Sequence, residues 1–420
     1  MTSAPLRPTP GQLAWQHDRM GVFFHFGVNT FHGKEWSDGS LPASSFDPAE
    51  LDARQWIRAA RLAGAKYVVL TAKHHDGFCL WLTATTAYSV ASSPWRGGAG
   101  DVVAEVAQAC QEAGLKFGLY LSPWDRNAAC YEDPEAYDEF YLAQLRELCT
   151  RYGPLRELWF DGAGSEGRVY DWERIGAVIA EHQPGAMVFN LGPATIRWVG
   201  NEDGLAEDPV EYVVSSTAVS NYVSDSAALS QEAYLPPECD VSLRPGWFWQ
   251  PSEEPKSVDH LLAIHYRSIG MGANLLLNLP PDRRGLVPEG DVRRLAEFRA
   301  ELDRRFGRPV EAEVLRSGPG EWTLDFGRDV PLDHVELGED LSEGQRVVRH
   351  RLLADDGDVL ASGLTVGAQR LHAVVPVTAR RLRVDVDGDG ARPAFARAYD
   401  TGGAPVPVIE YAAPTHRPED

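Results

Sequence analysis

Short apolar runs alternate with amphipathic helical stretches from about residue 20 to residue 300. Two successive units share one plan, in which a helix ends in Ala-Gly and is followed by one residue, then Lys, an aromatic residue and an apolar run: LDARQWIRAARLAG with AKYVVLTA, and DVVAEVAQACQEAG with LKFGLYLS. The glycine suits the end of each helix because a positive φ costs it nothing. Apolar strands that alternate with helices indicate a parallel sheet covered by helices.

About seven or eight such units within some 280 residues favour a (β/α)8-like TIM barrel over an open sheet. Helical periodicity is weak from about residue 203 to residue 237. We therefore expect the barrel to be irregular at its sixth and seventh units.

The pattern changes after about residue 310, where polar and apolar residues alternate in EWTLDFG, HVELGED and RRLRVDV. The turn sequences DDGD and DGDG separate such runs. This combination is typical of an antiparallel β-sandwich. The sequence therefore predicts a catalytic barrel over residues 1–306, a C-terminal antiparallel β-sandwich over residues 307–412, and a disordered tail at residues 413–420.

Composition narrows the possible partners. The 420-residue chain has a formal net charge of -21, which opposes binding to nucleic-acid backbones and anionic membranes. It contains no apolar run long enough to span a bilayer, and its N-terminal stretch has no apolar signal region. The five cysteines are odd in number and show no CxxC spacing, which suits a reducing compartment. We expect a cytoplasmic protein that binds neither nucleic acid nor membrane.

In a (β/α)8 barrel the functional groups lie on the loops that follow the carboxyl ends of the strands. Those positions here are rich in carboxylates, neutral hydrogen-bonding groups and tryptophan. The hydroxyls of a sugar bind carboxylates and neutral hydrogen-bonding groups, and its C–H faces pack against tryptophan. The residues at these positions include His25, Glu35, Trp36, His74, His75, Tyr120, Trp159, Asp161, Glu202, Glu238 and Trp247.

Cleavage of a glycosidic bond requires one ionised carboxylate and one carboxylic acid. Asp161, in the strand-end sequence WFDG, is the best-placed candidate for the ionised group. Glu202 lies beside Asn201 and Asp203, and like charge and burial could raise its pKa as a general acid requires. The simpler alternatives are a turn-forming aspartate and a solvated loop glutamate.

The sequence KHHD at residues 73–76 raises the possibility of a metal site. Adjacent residues on a strand point to opposite sides, and metal-binding histidines prefer HxH or HxxxH spacings. We therefore predict that His74 and His75 donate hydrogen bonds to hydroxyls of one sugar ring, with no metal and no cofactor. A structural histidine and a metal-dependent hydrolase remain alternatives.

The motifs FFHFGVNTF, GKEW, GAKYVVLTAKHHDGFCLW, GLKFGLYLSPWD, ELWFDGA and DVSLRPGWFW, in this order, resemble glycoside hydrolase family 29, the retaining α-L-fucosidases. The resemblance covers about residues 10 to 300. RWVGNE and PPECDVSLRPGWFW resemble the branch that acts on α-1,3/1,4-linked fucose in Lewis-type oligosaccharides. The C-terminal stretch is similar to the β-sandwich that follows the barrel in this family.

The resemblance implies that Asp161 is the nucleophile and Glu202 the acid/base, with Glu238 as a rival acid/base or a contact to the neighbouring sugar. It also implies that fucose contacts His25, His74, His75 and Tyr120, with Trp159, Glu35, Trp36 and Trp247 completing the pocket. The sequence thus predicts an exo-α-L-fucosidase that uses a covalent fucosyl-enzyme and takes fucosylated oligosaccharides as substrates. Two alternatives are a broad-specificity α-L-fucosidase and an inactive fucose-binding barrel. Nothing in the sequence indicates an oligomeric state.

Overall fold

Residues 6–165, 167–220 and 226–411 are described in the computed structural model of the chain. The predicted tail at residues 413–420 lies outside this range. Within it, a parallel barrel is followed by antiparallel β-structure. The predicted fold class is therefore confirmed.

The barrel consists of eight parallel strands among the described residues, in the order β5-β4-β3-β2-β1-β10-β9-β6. A single parallel bridge between Phe189 and Ile196 links β5 to the chain that leads into β6 and completes the circle. A two-stranded antiparallel hairpin, β7 with β8, projects from the chain between β6 and β9. The strands up to this point are β1 Met20–Phe24, β2 Tyr67–Lys73, β3 Lys116–Leu121, β4 Leu155–Trp159, β5 Met187–Phe189, β6 Arg197–Trp198, β7 Val213–Ala218, β8 Ser226–Tyr234, β9 Pro237–Ser242 and β10 Asn274–Asn278.

The helices begin and end where local chemistry allows. Asp52 and Asp101 cap the third and fourth helices by accepting backbone N–H bonds, and Gly64 and Gly114 end them with positive φ. The repeated Ala-Gly ending seen in the sequence is therefore a pair of helix C-caps. The helices are α1 Pro10–Asp18, α2 Val28–His32, α3 Ala53–Ala63, α4 Val102–Ala113, α5 Pro134–Arg151, α6 Trp172–His182, α7 Val258–Arg267 and α8 Glu289–Phe306.

Two stretches differ from the regular alternation of strand and helix. The predicted first strand, MGVFFHFGV, ends at Phe24, and Val28–His32 forms the short helix α2 between two glycines. Between β5 and β6 the chain makes a tight loop with no helix, and between β6 and β9 the hairpin replaces one. The irregularity expected after the fifth unit is therefore present, and its cause is the hairpin.

The C-terminal sheet contains two long strands that pair with each other in two segments. Pairing of β13 with β16 is interrupted between Asp325 and Val330, so the two halves of each strand lie in different parts of the sheet. The apolar side chains of both halves, including Trp322, Leu337 and Val384, form one buried cluster. The strands are β11 Val310–Glu311, β12 Glu313–Gly318, β13 Glu321–Glu339, β14 Arg349–Leu353, β15 Val359–Gly363, β16 Arg370–Asp387 and β17 Pro393–Tyr399.

Aromatic side chains fill the interior of the barrel. Trp15 of α1 lies under the amino ends of the strands in a buried cluster with Tyr67, Phe23 and Trp159. The filled interior leaves the carboxyl ends of the strands as the open face, as in other barrels of this type. In the described part of the chain, none of the helices combines the length and the apolarity needed to cross a membrane.

Candidate active site

A cavity of about 420 Å³ opens at the carboxyl ends of the barrel strands. Its walls come from the loops after β1, β2, β4, β5, β6 and β9 and from the last residues of the hairpin strand β7 and the turn after it. Eight of the residues predicted for the site line this cavity: His25, Glu35, Trp36, His74, Trp159, Asp161, Glu202 and Trp247.

Asp161 lies two residues after the end of β4, and 27% of its side chain is exposed. The hydroxyl of Tyr120 donates a hydrogen bond to its Oδ2 atom at 3.1 Å, and the backbone N–H of Ala163 donates to Oδ1 at 2.9 Å. The Nε2 atom of His75 lies 3.6 Å from Oδ2. Tyr120 and His75 thus lie against the carboxylate without being part of the cavity wall. This geometry orients the carboxylate and leaves part of it open to the cavity.

The hydrogen bonds of His75 define its tautomer. The Ser122 hydroxyl donates to the Trp124 carbonyl at 2.7 Å, so the Nδ1–H of His75 must donate to the Ser122 oxygen, also at 2.7 Å. Burial lowers the pKa of His75 to about 4, against the opposing effect of the Asp161 charge. At neutral pH its buried Nε2 is therefore a hydrogen-bond acceptor that has no protein partner.

His25 and His74 are also neutral at physiological pH. The Oδ1 atom of Asn278 lies 2.9 Å from His25 Nδ1, and because the Asn278 amide group donates elsewhere, His25 Nδ1 is the donor. Burial lowers the pKa of His25 to about 3. Burial and the two neighbouring histidines hold the pKa of His74 well below its ordinary value, and its Nδ1 has no protein partner. Three uncharged imidazoles can accept or donate hydrogen bonds to sugar hydroxyls.

Aromatic rings supply the apolar surface. Trp159 stacks on Phe189 with ring centroids 3.9 Å apart, and Trp247 lies 5.0 Å from the ring of His25. Trp36 packs edge-on against His75 at 5.1 Å. The cavity therefore combines neutral polar atoms with aromatic faces, which matches the two kinds of surface that a sugar presents.

Glu35 connects two walls of the cavity. Its carboxylate accepts hydrogen bonds from the backbone N–H groups of Trp247, at 2.8 Å, and Phe248, at 3.4 Å. Burial raises its pKa to about 7, although these hydrogen bonds favour the charged form. The carboxyl of Glu35 thus changes its charge near neutral pH.

Glu202 is in the loop that follows β6. The Oδ1 atom of Asn201 accepts the backbone N–H groups of Asp203 and Leu205, both at 3.2 Å, which gives this loop its shape. Asp203 forms an antiparallel bridge with Val241 of β9. The bridge fixes the loop on which Glu202 lines the same cavity as Asp161.

Asp240 also lines the cavity and was not among the predicted site residues. Its Oδ1 accepts a hydrogen bond from the indole Nε1 of Trp198 at 2.6 Å. Burial, followed by the charge of Glu202, raises its pKa well above the ordinary range. The signal that could have found it is the alternation of β9, in which residues 238, 240 and 242 face the interior and the later positions lie closer to the open end.

Glu238 lies below the cavity, which corrects the prediction that it contacts substrate or competes with Glu202. It is fully buried at the first interior position of β9, where it accepts hydrogen bonds from Tyr67 at 2.5 Å and Trp159 at 3.2 Å. Burial, together with the charge of the neighbouring Glu157, raises its pKa strongly. Glu238 is connected to the cavity wall through the hydrogen bond that it accepts from Trp159.

The loop after β4 forms a wall that the sequence did not indicate. Residues 162–165, Arg168 and Tyr170 all line the cavity. The guanidinium of Arg168 lies over the rings of Tyr131, Tyr137 and Tyr170 at 4.7 to 5.5 Å and bonds the Tyr131 carbonyl. This packing holds the loop beside Asp161. Among the described residues no cluster of three or more His, Cys, Asp or Glu has the arrangement of a metal site.

A parallel barrel with carboxylates, neutral imidazoles and tryptophans at its open end has the architecture of a glycoside hydrolase. Residues 41–304 match the family model for alpha-L-fucosidase. Alpha-L-fucosidase 1 of Arabidopsis thaliana is 39% identical, with 91% of this chain and 85% of that protein aligned.

Solved structures show the same relationship. A glycoside hydrolase 29 family member from an unknown rumen bacterium is 33% identical, with a TM-score of 0.86, and the alignment covers 98% of this chain and 79% of that one. A glycoside hydrolase 29 fucosidase of Ruminococcus gnavus, solved in complex with fucose, is 27% identical, with a TM-score of 0.81 and 94% of each chain covered. The chain therefore belongs to the alpha-L-fucosidase family, glycoside hydrolase family 29, and its enzymatic class is that of an alpha-L-fucosidase.

Proposed function

We propose that this enzyme is an exo-acting, retaining α-L-fucosidase that releases terminal fucose from α-1,3/1,4-linked Lewis-type oligosaccharides. The observation that carries the proposal is that the carboxyls of Asp161 and Glu202, which follow different strands, line one cavity. Asp161 is oriented by Tyr120 and the loop backbone, and Glu202 lies on the loop after β6.

In the first step a carboxylate oxygen of Asp161 bonds to the anomeric carbon while the bond to the leaving oxygen breaks. Glu202 transfers its proton to that oxygen, so the aglycone leaves as an alcohol. In the second step Glu202 takes a proton from water, whose oxygen displaces Asp161 and releases fucose with retained configuration. The partly exposed carboxylate of Asp161 and its fixed orientation support its role as the nucleophile.

The fucose ring is assigned to the part of the cavity bounded by His25, His74 and the tryptophans. The buried Nε2 atom of His75 lies behind this wall, 3.6 Å from Oδ2 of Asp161. Neutral imidazoles suit uncharged hydroxyls because they need no counter-ion. Trp159 and Trp247 provide the apolar faces for the C–H groups and the methyl of fucose.

The linkage preference rests on the resemblance of RWVGNE and PPECDVSLRPGWFW to the Lewis-type branch, together with the extent of the cavity beyond Asp161. That extension is lined by residues 162–165 and by Val219 and Ser220 of the hairpin. A cavity of about 420 Å³ falls in the size range that encloses ligands larger than one sugar ring.

The test compares initial rates on three substrates: a Lewis trisaccharide, 2'-fucosyllactose and 4-nitrophenyl α-L-fucoside. Hydrolysis of the branched trisaccharide alone supports the Lewis-type assignment. Comparable rates on the aryl fucoside and 2'-fucosyllactose would instead identify a broad-specificity α-L-fucosidase. Nuclear magnetic resonance of the first-formed fucose anomer decides between retention and inversion in the same reaction.

A further inference from the structure

Asp240 adds a fourth carboxyl to the cavity, beside those of Glu35, Asp161 and Glu202. Only 2% of its surface is exposed, and its Oδ1 is fixed by the short hydrogen bond from Trp198. Neither step of the proposed mechanism uses it. A buried carboxyl that faces a catalytic cavity is costly to ionise and therefore calls for a functional explanation.

The backbone register places Asp240 next to Glu202. The chain after β6 runs beside β9: the N–H of Val199 donates to the Glu238 carbonyl at 3.0 Å, and Asp203 then pairs with Val241. Glu202 therefore lies across from the carboxyl end of β9, on the face where residues 240 and 242 point inward. Both carboxyls belong to the same wall of the cavity.

Two carboxyls that are close together in a water-poor site do not both ionise readily, so they titrate as a pair. The raised pKa of Asp240, caused by burial and then by the charge of Glu202, agrees with this coupling. The other ionisable group that acts on Asp240 is Glu238, one layer below on β9. The charge of Asp203 acts on Lys256, His260 and Tyr411. The charge of Glu202 also acts on Tyr411.

We propose that Asp240 is a positioning residue for the acid/base Glu202, and that the two carboxyls hold one proton between them. This inference rests on the proposed function. In the first half-reaction the shared proton moves to the leaving oxygen as its bond to the anomeric carbon breaks and the bond to Asp161 forms. Both carboxyls of the pair are then ionised. The repulsion between their negative charges makes Glu202 a stronger base toward the water that releases fucose.

The test measures the pH dependence of kcat/KM on a fucosylated trisaccharide. Asp240→Asn removes the second charge and retains an acceptor for Trp198, so Glu202 loses its proton at lower pH and the alkaline limb moves down by about one pH unit. Trp198→Phe removes the hydrogen bond that favours ionised Asp240, so the shared proton moves from Glu202 toward Asp240. We expect kcat/KM on the trisaccharide to fall in the pH range where the pair holds one proton, without a downward shift of the alkaline limb. Trp198→Phe carries the test if Asp240→Asn does not fold.

Asp203→Asn is the matched control, because it removes the same charge from the residue next to Glu202 but outside the cavity wall. We expect it to shift the limb by less than half as much. Equal shifts from Asp203→Asn and Asp240→Asn, an unchanged limb in Asp240→Asn, or a wild-type kcat/KM profile in Trp198→Phe would overturn the inference.

A second readout separates positioning from a general structural effect. 2,4-Dinitrophenyl α-L-fucoside has a leaving group that needs no proton, so its kcat/KM in Asp240→Asn should stay within about twofold of wild type while the trisaccharide value falls at alkaline pH. Equal losses on both substrates at every pH would assign Asp240 a structural role only. If the wild-type enzyme hydrolyses neither substrate, the proposed function fails; if it hydrolyses the trisaccharide and the variants keep the wild-type pH profile on it, only the inference fails.

Discussion

The hydroxyl of Tyr120 donates a hydrogen bond to the Oδ2 atom of Asp161 at 3.1 Å, and both side chains lie at the ends of adjacent strands. Burial, followed by the charge of Asp161, holds the pKa of Tyr120 well above its ordinary value. The phenol therefore remains a donor over the whole range in which the enzyme is folded. This relationship couples the orientation of the carboxylate to a single hydroxyl.

Tyr120→Phe is expected to lower kcat/KM by about 10- to 100-fold, because a hydrogen bond to a charged group contributes about 1.5 to 3 kcal/mol. Steady-state kinetics on a fucoside measures the loss. Tyr141→Phe is the control, since the Tyr141 hydroxyl bonds the Leu121 carbonyl at 2.8 Å away from the cavity. It should reduce stability and leave kcat/KM within about twofold. Equal kinetic losses in both variants would argue against the proposed orientation of Asp161.

Asp161→Ala is expected to lower turnover by at least about 1,000-fold, because it removes the carboxylate that bonds the anomeric carbon in the proposed mechanism. Added azide should restore turnover in this variant by entering the space of the lost carboxylate, and the product should be the azide of inverted configuration. Product analysis by nuclear magnetic resonance gives the configuration. Near-normal turnover in Asp161→Ala would exclude it as the nucleophile.

From the buried carboxyl of Glu157 we predict that the free energy of unfolding depends on pH. Burial raises its pKa to about 7, above the ordinary value of 4.5, so the folded state holds this proton more tightly than the unfolded state. Its stabilising effect is complete below about pH 4.5 and is lost as the pH rises toward 7. The loss amounts to roughly 3 kcal/mol, from about 1.4 kcal/mol per pKa unit.

Glu157→Gln removes this titration, while its amide oxygen can still accept a hydrogen bond from the carboxyl of Glu238. The fall in the midpoint of thermal unfolding between pH 5 and pH 8 should therefore be smaller in Glu157→Gln than in the wild type. Glu181→Gln, at a side chain that is 73% exposed, is the control and should behave as the wild type. The same fall in all three proteins would contradict the assigned ionisation of Glu157.

Lys73 provides a test of stability rather than catalysis. Its Nζ atom bonds Asp125 at 2.8 Å and Gln144 at 2.9 Å, and both charged side chains are almost completely buried. Lys73→Met leaves Asp125 without its counter-ion and is expected to cost about 3 to 5 kcal/mol.

Adding Asp125→Asn should recover part of this loss, because the uncompensated charge is then gone. Thermal unfolding of the single and double variants measures both effects. A double variant less stable than the sum of the two single changes would show that the charge of Asp125 is not the source of the cost.

The sequence pattern predicted the barrel well because its strands are buried and its helices carry local caps. The repeated Ala-Gly endings are the C-caps Gly64 and Gly114. Residues that follow β1, β2, β4, β5, β6 and β9 form the cavity wall. Local chemistry of this kind can be read from neighbouring residues. The hairpin between β6 and β9 was not read from the sequence; among the described residues its strands β7 and β8 form a separate two-stranded sheet.

The choice between Glu238 and Asp240 shows where sequence reasoning fails. Both acids face the interior of β9, two residues apart, so their periodicity is the same. What separates them is their depth along the strand, which is set by the point where pairing with β10 begins. Asn274 lies opposite Glu238 in that pairing and fixes Glu238 in the lower layer.

The placement of Asp161 and Glu202 has a mechanical consequence. The two carboxyls follow β4 and β6, and β5 pairs with the chain before β6 through a single bridge, so the barrel has a seam between the strand that leads to Asp161 and the strand that leads to Glu202. The side chain of Asn190 crosses this seam, accepting the N–H of Trp198 at 3.0 Å and donating to the Ala218 carbonyl at 2.8 Å. Asn190, held in a left-handed backbone conformation with φ of 59°, therefore ties the two sides of the seam together, beside the backbone hydrogen bonds that Val188 and Asn190 form with Thr195 and Ile196.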